Sequence, residues 1–202
     1  MIALLLAAAA AQTPVDAERA FAADAQNLGQ WTAFRDWSTA DAVMFTPQPT
    51  NAHAFLKDRK DPPVAVFWWP GRSYLSCDGT HAVNTGPWVR EWGKSVGYFT
   101  TVWQRQPDGG WKWTYDAGDA LATPRAEGGD IQPRRASCES KPVEPIMLGA
   151  EGWHSGRGGS ADETLAWTWS VGPAGERRLI VQLWNGRDSV TVLDDQVAAP
   201  PQ

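Results

Sequence analysis

The sequence predicts an α+β fold: a curved antiparallel sheet packed on N-terminal helices, followed by a three-stranded antiparallel addition. Three observations carry this expectation. Near the start, Ala17, Phe21, Ala25 and Leu28 recur at spacings of three and four, an apolar helical stripe. Further on the period becomes two. Trp111-Lys112-Trp113-Thr114-Tyr115 and Leu165-Ala166-Trp167-Thr168-Trp169 alternate aromatic or apolar residues with others, which places the rings on one sheet face. Thirteen of the 202 residues are tryptophan. So much ring surface must be covered by helices, by a second sheet or by a ligand.

The elements follow in order. Thr13-Pro14 reads as an N-cap with proline at the first helical position, and Asp16 and Glu18 add negative charge to the first turn. Gly29 marks a stop or kink, and 30–37 continues helical with Trp31, Phe34 and Trp37 facing in. Residues 42–45 form a short strand, and Asn51 caps a short helix over 52–57. The apolar run 64–69 reads as a strand buried on both faces. Segments 73–77 and 81–89 flank Asp78-Gly79, a hairpin signal. A long strand over 96–106 turns at Pro107-Asp108-Gly109-Gly110 into another over 111–115. Residues 117–161 are rich in Gly, Pro, Arg and Glu without periodicity, and read as a linker or functional loop. Three strands over 164–171, 178–184 and 189–193 follow, and they need a larger body to pack on.

Composition bounds the function. Hydrophobic content of 43% and charged content of 20% are those of a globular chain. A net charge of −5 leaves no basic footprint for nucleic acid and no polybasic patch for anionic lipid. Residues 1–11 are apolar, too short to span a membrane, and end in Ala9-Ala10-Ala11 before Gln12, as a secretory signal would. The basic start of such a signal is missing, and a buried or disordered alanine-rich tail is the alternative. The expected address is therefore the bacterial periplasm or exterior. Cys77 and Cys138 are the only cysteines. Their even count in an exported chain permits a disulfide, which would contribute about 4 kcal/mol by closing a long loop; two free thiols are the alternative.

Residues 17–119 resemble the nuclear transport factor 2-like superfamily, in particular its SnoaL-like and ketosteroid-isomerase-like exported domains. The resemblance rests on Glu18-Arg19-Ala20-Phe21-Ala22, on Trp31-Thr32-Ala33-Phe34 and on Asp41-Ala42-Val43-Met44-Phe45. The paired segments 97–105 and Gly110-Trp111-Lys112-Trp113 complete it. It implies a cone, with a curved sheet wrapped around helices and a pocket at the open end. The expected organisation is a signal peptide over 1–11, the family domain over 13–119, a Gly/Pro-rich linker over 120–161, a β-meander over 162–195 and a tail over 196–202.

The resemblance implies a pocket with an acid/base carboxylate, or none. Isomerase members pair an Asp base with a buried Tyr or protonated Asp. The first helix has no tyrosine, Phe21 being its only aromatic, which argues against that donor pair. Asp116, after an aromatic strand, is the candidate base, with a solvated turn residue as the alternative. His53, on the short helix, is a second candidate against a plain surface histidine. Trp68, Tyr98 and Trp113 are candidate cavity residues, and Arg72 a candidate anion contact. His53, His81 and His154 show no metal spacing, and no cofactor motif is present. The expected function is binding of a small apolar molecule or a protein partner. An isomerase, hydratase or hydrolase using a pocket Asp or His is the alternative. The family also implies a homodimer through the sheet's outer face, unless the C-terminal strands cover it.

Overall fold

The computed structural model describes residues 12–125, 131–140 and 152–200. The expected signal peptide lies outside them, as do parts of the expected linker and the end of the tail. The helices are α1 (Pro14–Asn27), α2 (Gln30–Trp37) and α3 (Ala52–Leu56). The first strands are β1 (Ser38–Phe45), β2 (Pro49–Asn51), β3 (Phe67–Trp68), β4 (Arg72–Leu75), β5 (His81–Arg90), β6 (Ser95–Arg105) and β7 (Trp111–Leu121). They are followed by β8 (Arg134–Arg135), β9 (His154–Gly159), β10 (Leu165–Val171), β11 (Arg177–Trp184) and β12 (Ser189–Val197).

Local chemistry sets the helix ends. Thr13 Oγ1 accepts from the Asp16 amide at 3.1 Å while Asp16 Oδ2 accepts from the Thr13 amide at 3.2 Å, a capping box. Gly29 precedes α2 at φ 111° and offers no side-chain cap. Asp61 replaces it from a distance, accepting the amides of Trp31 at 2.5 Å and Thr32 at 3.0 Å. Asn51 caps α3 through the Ala54 amide.

The fold is mixed α+β with a large curved, unclosed sheet of eight strands, ordered β2-β1-β7-β6-β5-β4-β8 with β3 on β5. An antiparallel sheet was expected, but the observed one is mixed, because β1 runs parallel to β7 and β4 parallel to β8. Long chain segments separate both pairs, as parallel pairing requires. The run 64–69 also differs from expectation. Only Phe67–Trp68 is strand, and Val64 and Phe67 are exposed. Pro62, Pro63 and Pro70 bracket the run, and prolines lack the ladder donor. The Val66 backbone is held by side chains instead: Gln26 Nε2 donates to its carbonyl and Gln30 Oε1 accepts from its amide.

A β-bulge changes the face assignment of the aromatic strand. Register shifts between Val102 and Trp103, so that Val102 faces Tyr115 and Trp103 faces Trp113, with Thr114 extra. Trp111 and Trp113 therefore join the core on the helix side, and Tyr115 the core on the other side, although simple alternation put all three together.

The helix-side core contains Phe21, Leu56, Trp68, Trp103 and Trp113. On the opposite face Tyr74, Val83, Val102 and Tyr115 pack against Leu165, Trp167, Leu179, Val181 and Leu183 of a second sheet. That sheet has four strands, β12-β11-β10-β9, rather than three. The fourth, β9, comes from the expected linker. Its glycines are packing residues: a Cβ on Gly158 would lie 2.2 Å from the Trp167 ring, and one on Gly156 2.3 Å from Trp169. Strand β8 also comes from the expected linker, and Cys138 beyond it is bonded to Cys77, with an S–S distance of 2.01 Å. A partly buried ion pair ties the segment after β7 to the second sheet: Arg125 lies 2.5 Å from Asp195 of β12, which also accepts from Thr100 of β6 at 2.6 Å.

Replacing Gly158 by alanine forces the Trp167 ring out of its seat between the sheets. Overpacking of this kind costs about 2 kcal/mol, and the expected result is a matching loss of unfolding free energy in urea titration.

Candidate functional site

A cavity of about 390 Å³ opens between α2 and strands β3, β5, β6 and β7. Phe34, Val66, Trp68, Trp88, Tyr98 and Phe99 form its apolar walls, and Gln30, Arg90, Ser95, Asp116 and Asp119 supply polar groups. Gly97 permits part of this wall: a Cβ there would lie 2.4 Å from the Trp88 ring.

Asp116 lies on β7 well before its end, which corrects its reading as a strand-end turn residue. The strand continues to Leu121, past the Asp and Gly residues that read as a turn. Asp116 is opposite Thr101 of β6 and Met44 of β1. Thr101 Oγ1 donates to its Oδ2 at 2.7 Å. Burial raises its pKa from 3.8 to about 7, against the lowering effect of that hydrogen bond. A carboxyl of this kind holds its proton about half the time near neutrality. It can donate a hydrogen bond to a ligand or take a proton from one.

Glu18 does not line the cavity but stands behind its wall, bonded to Trp68. It was expected to add negative charge to the first turn, but it lies beyond that turn and its relative exposure is 0%. Trp68 Nε1 donates to Oε1 at 2.9 Å, Trp103 Nε1 to Oε2 at 2.7 Å, and Asn84 Nδ2 to Oε2 at 3.3 Å. Burial raises its pKa from 4.5 to about 8, the Asp116 charge adds to the rise, and the indole and amide donors oppose it. The Asn84 amide also carries Oδ1, a buried acceptor without a partner among the described residues, which a protonated Glu18 would suit. A signal for Glu18 was present: Val15, Glu18, Ala22 and Ala25 form an i, i+3, i+7, i+10 row, and its one charged member sits in an apolar stripe.

The other candidates divide. Trp68 and Tyr98 line the cavity. Trp113 does not; it is fully buried, against Phe34. Arg72 is exposed at the start of β4, paired with Thr85, away from the cavity wall. His53 is exposed and points to Ser38, its Nε2 lying 2.9 Å from the hydroxyl, so it does not serve the cavity. His81 packs tilted on Trp167, and His154 of β9 meets Trp169 edge-on, so both lie at the second sheet and not at the cavity. Gln30 of α2 and Trp88 and Arg90 of β5 were missed because only the fold brings these two distant elements together. Among the described residues, no group of three or more His, Cys, Asp or Glu is placed to hold a metal ion. No helix among them is long and apolar enough to cross a membrane.

The two raised carboxyls make stability fall with pH. The folded chain keeps protons that the unfolded chain releases, so unfolding becomes easier as pH rises from about 5 to about 8. Asp16, Asp61, Asp78 and Asp194 are lowered, and their stabilisation is already complete above that range's lower end. Half-buried His81 is lowered by desolvation and acts in the opposite sense at its acid end. Denaturant titrations of the protein and of Glu18→Gln should therefore differ in slope, the variant losing less stability between about pH 6 and pH 8.

No family model matches this chain, and no curated protein does. Among solved structures, it is similar to a protein of unknown function from the DUF3225 family of Pectobacterium atrosepticum. The two are 15% identical with a TM-score of 0.41, over 55% of this chain and 94% of that one.

Proposed function

We propose that the chain is an exported bacterial domain with a nuclear transport factor 2-like cone over 13–119, and that it binds a small, largely apolar molecule in the cavity beside Asp116. One observation carries the reading: a half-buried carboxyl raised to about 7 stands on a cavity wall that also carries the rings of Phe34, Trp68, Trp88 and Phe99. A few polar groups in an apolar concavity of this size are the usual make-up of a small-molecule site. The curved, unclosed sheet and the ring contacts of Phe21 with Trp68 and Trp103 support the cone. The Cys77–Cys138 bond supports an oxidising compartment. The second sheet covers Tyr74, Val83, Val102 and Tyr115, so this reading has no homodimer through that face.

A second reading has Asp116 act as a general base in an isomerase or hydratase. The observation favouring it is the same titration near neutrality.

Both readings are tested with 2-hexanone as probe. Protonated Asp116 donates to the ketone, so affinity should fall above about pH 7, by up to tenfold per pH unit. Glu18 titrates nearby at about 8. Asp116→Asn separates the two, because it keeps a donor and should bind without that dependence. Binding is read by tryptophan fluorescence, and absence of binding would refute the site. Base catalysis additionally predicts exchange of the ketone α-hydrogens with deuterated water, rising through about pH 7 and lost in Asp116→Asn.

A further inference from the structure

The cavity does not end at its mouth. A groove of about 530 Å³ adjoins it and shares Gln30, Val66 and Arg90 with it. The two ends differ in character. Asp116 and Asp119 lie on the cavity away from Arg90, whereas Trp31, Pro62, Val64, Ala65 and Trp92 line the groove, with Glu91 and Lys94 as its charged members. The shared wall is built, because Gln26 and Gln30 hold both backbone groups of Val66, at 2.7 and 3.0 Å. At the junction the Arg90 guanidinium lies over the Trp88 ring, 4.9 Å from its centroid. Its charge is thereby partly engaged by an indole face.

Trp92 is 99% exposed, in the turn joining β5 to β6. Glu91 and Trp92 both have left-handed backbones, at φ 48° and 59°. A bulky residue in that conformation is rare, and strain of this kind persists mostly at functional positions. Val64, on the same groove, is 66% exposed. A solvent-facing indole and an exposed valine on one groove, continuous with a ring-walled cavity, are surface that a hydrocarbon would cover.

We infer that the ligand is an elongated amphiphile: a carbonyl or hydroxyl end sits at Asp116, and a hydrocarbon tail runs past Gln30, Val66 and Arg90 into the groove under Trp92. This rests on the proposed binding reading and names its ligand class. An anionic head is disfavoured by Asp116 and Asp119 at the inner end. A second copy of this chain seated on Trp92 is the competing occupant.

The test is a homologous series, 2-hexanone, 2-octanone, 2-decanone and 2-dodecanone, titrated into the protein and into Trp92→Asn. Asparagine tolerates the left-handed backbone, so the turn is retained. Each added methylene should tighten binding by about fourfold until the groove is filled. In Trp92→Asn the gain for the longer ketones should shrink by about tenfold while 2-hexanone binds as before. If 2-hexanone binds but longer chains bind no tighter, the inference fails and the cavity reading stands. The same holds if Trp92→Asn keeps the full chain-length gain. If no ketone binds, both fail. Sedimentation of ligand-free protein completes the test: a dimer abolished by Trp92→Asn assigns the ring to self-association and overturns the inference, whereas a monomer in both supports it.

Discussion

A single buried carboxyl connects the helices, the sheet and the cavity. Glu18 projects from α1 and receives hydrogen bonds from Trp68 of β3, Trp103 of β6 and Asn84 of β5. Two of those donors are indoles, which have no acceptor capacity and need a partner wherever they are buried. Removing the carboxyl would leave both unsatisfied, at about 1–3 kcal/mol each. Burying it raises its pKa to about 8. Its neighbours are fixed in turn, because the same Trp68 ring walls the cavity and the Asp116 charge is felt at Glu18.

The two faces of the large sheet are held differently. The helix side is an aromatic cluster around Phe21, with Phe34 at 4.8 Å, Trp68 at 4.9 Å and Trp103 at 5.9 Å between ring centroids. The other side is aliphatic and aromatic packing on the second sheet, pinned by the Cys77–Cys138 bond and the Arg125–Asp195 pair. The bulge at Thr114 allows one strand to serve both faces, sending Trp113 one way and Tyr115 the other. It also places Asp116 toward the helix side, in line with Thr101.

Elements governed by local rules were legible in the sequence. The Thr13 cap, the Asn51 cap and the hairpin at Asp78-Gly79 each depend on a few adjacent residues, and each is present. Elements governed by distant partners were not. Strand β9 is Gly-rich because Trp167 and Trp169 lie against it, so composition read it as loop. Prolines reduced the apolar run around Val66 to two strand residues. Of the candidate site residues, the fold brings Asp116, Trp68 and Tyr98 to one cavity wall, while His53, Arg72 and Trp113 lie elsewhere. Glu18 was misread because its charge outweighed its place in the apolar row. Only the fold shows two indole donors waiting for it.

The central claim is that two carboxyls in this interior keep their protons to near neutral pH. Carbon-13 NMR of the side-chain carboxyls measures this directly, with Glu18→Gln and Asp116→Asn assigning the resonances. The account predicts midpoints near 8 for Glu18 and near 7 for Asp116. Midpoints near their ordinary values, 4.5 and 3.8, would contradict it.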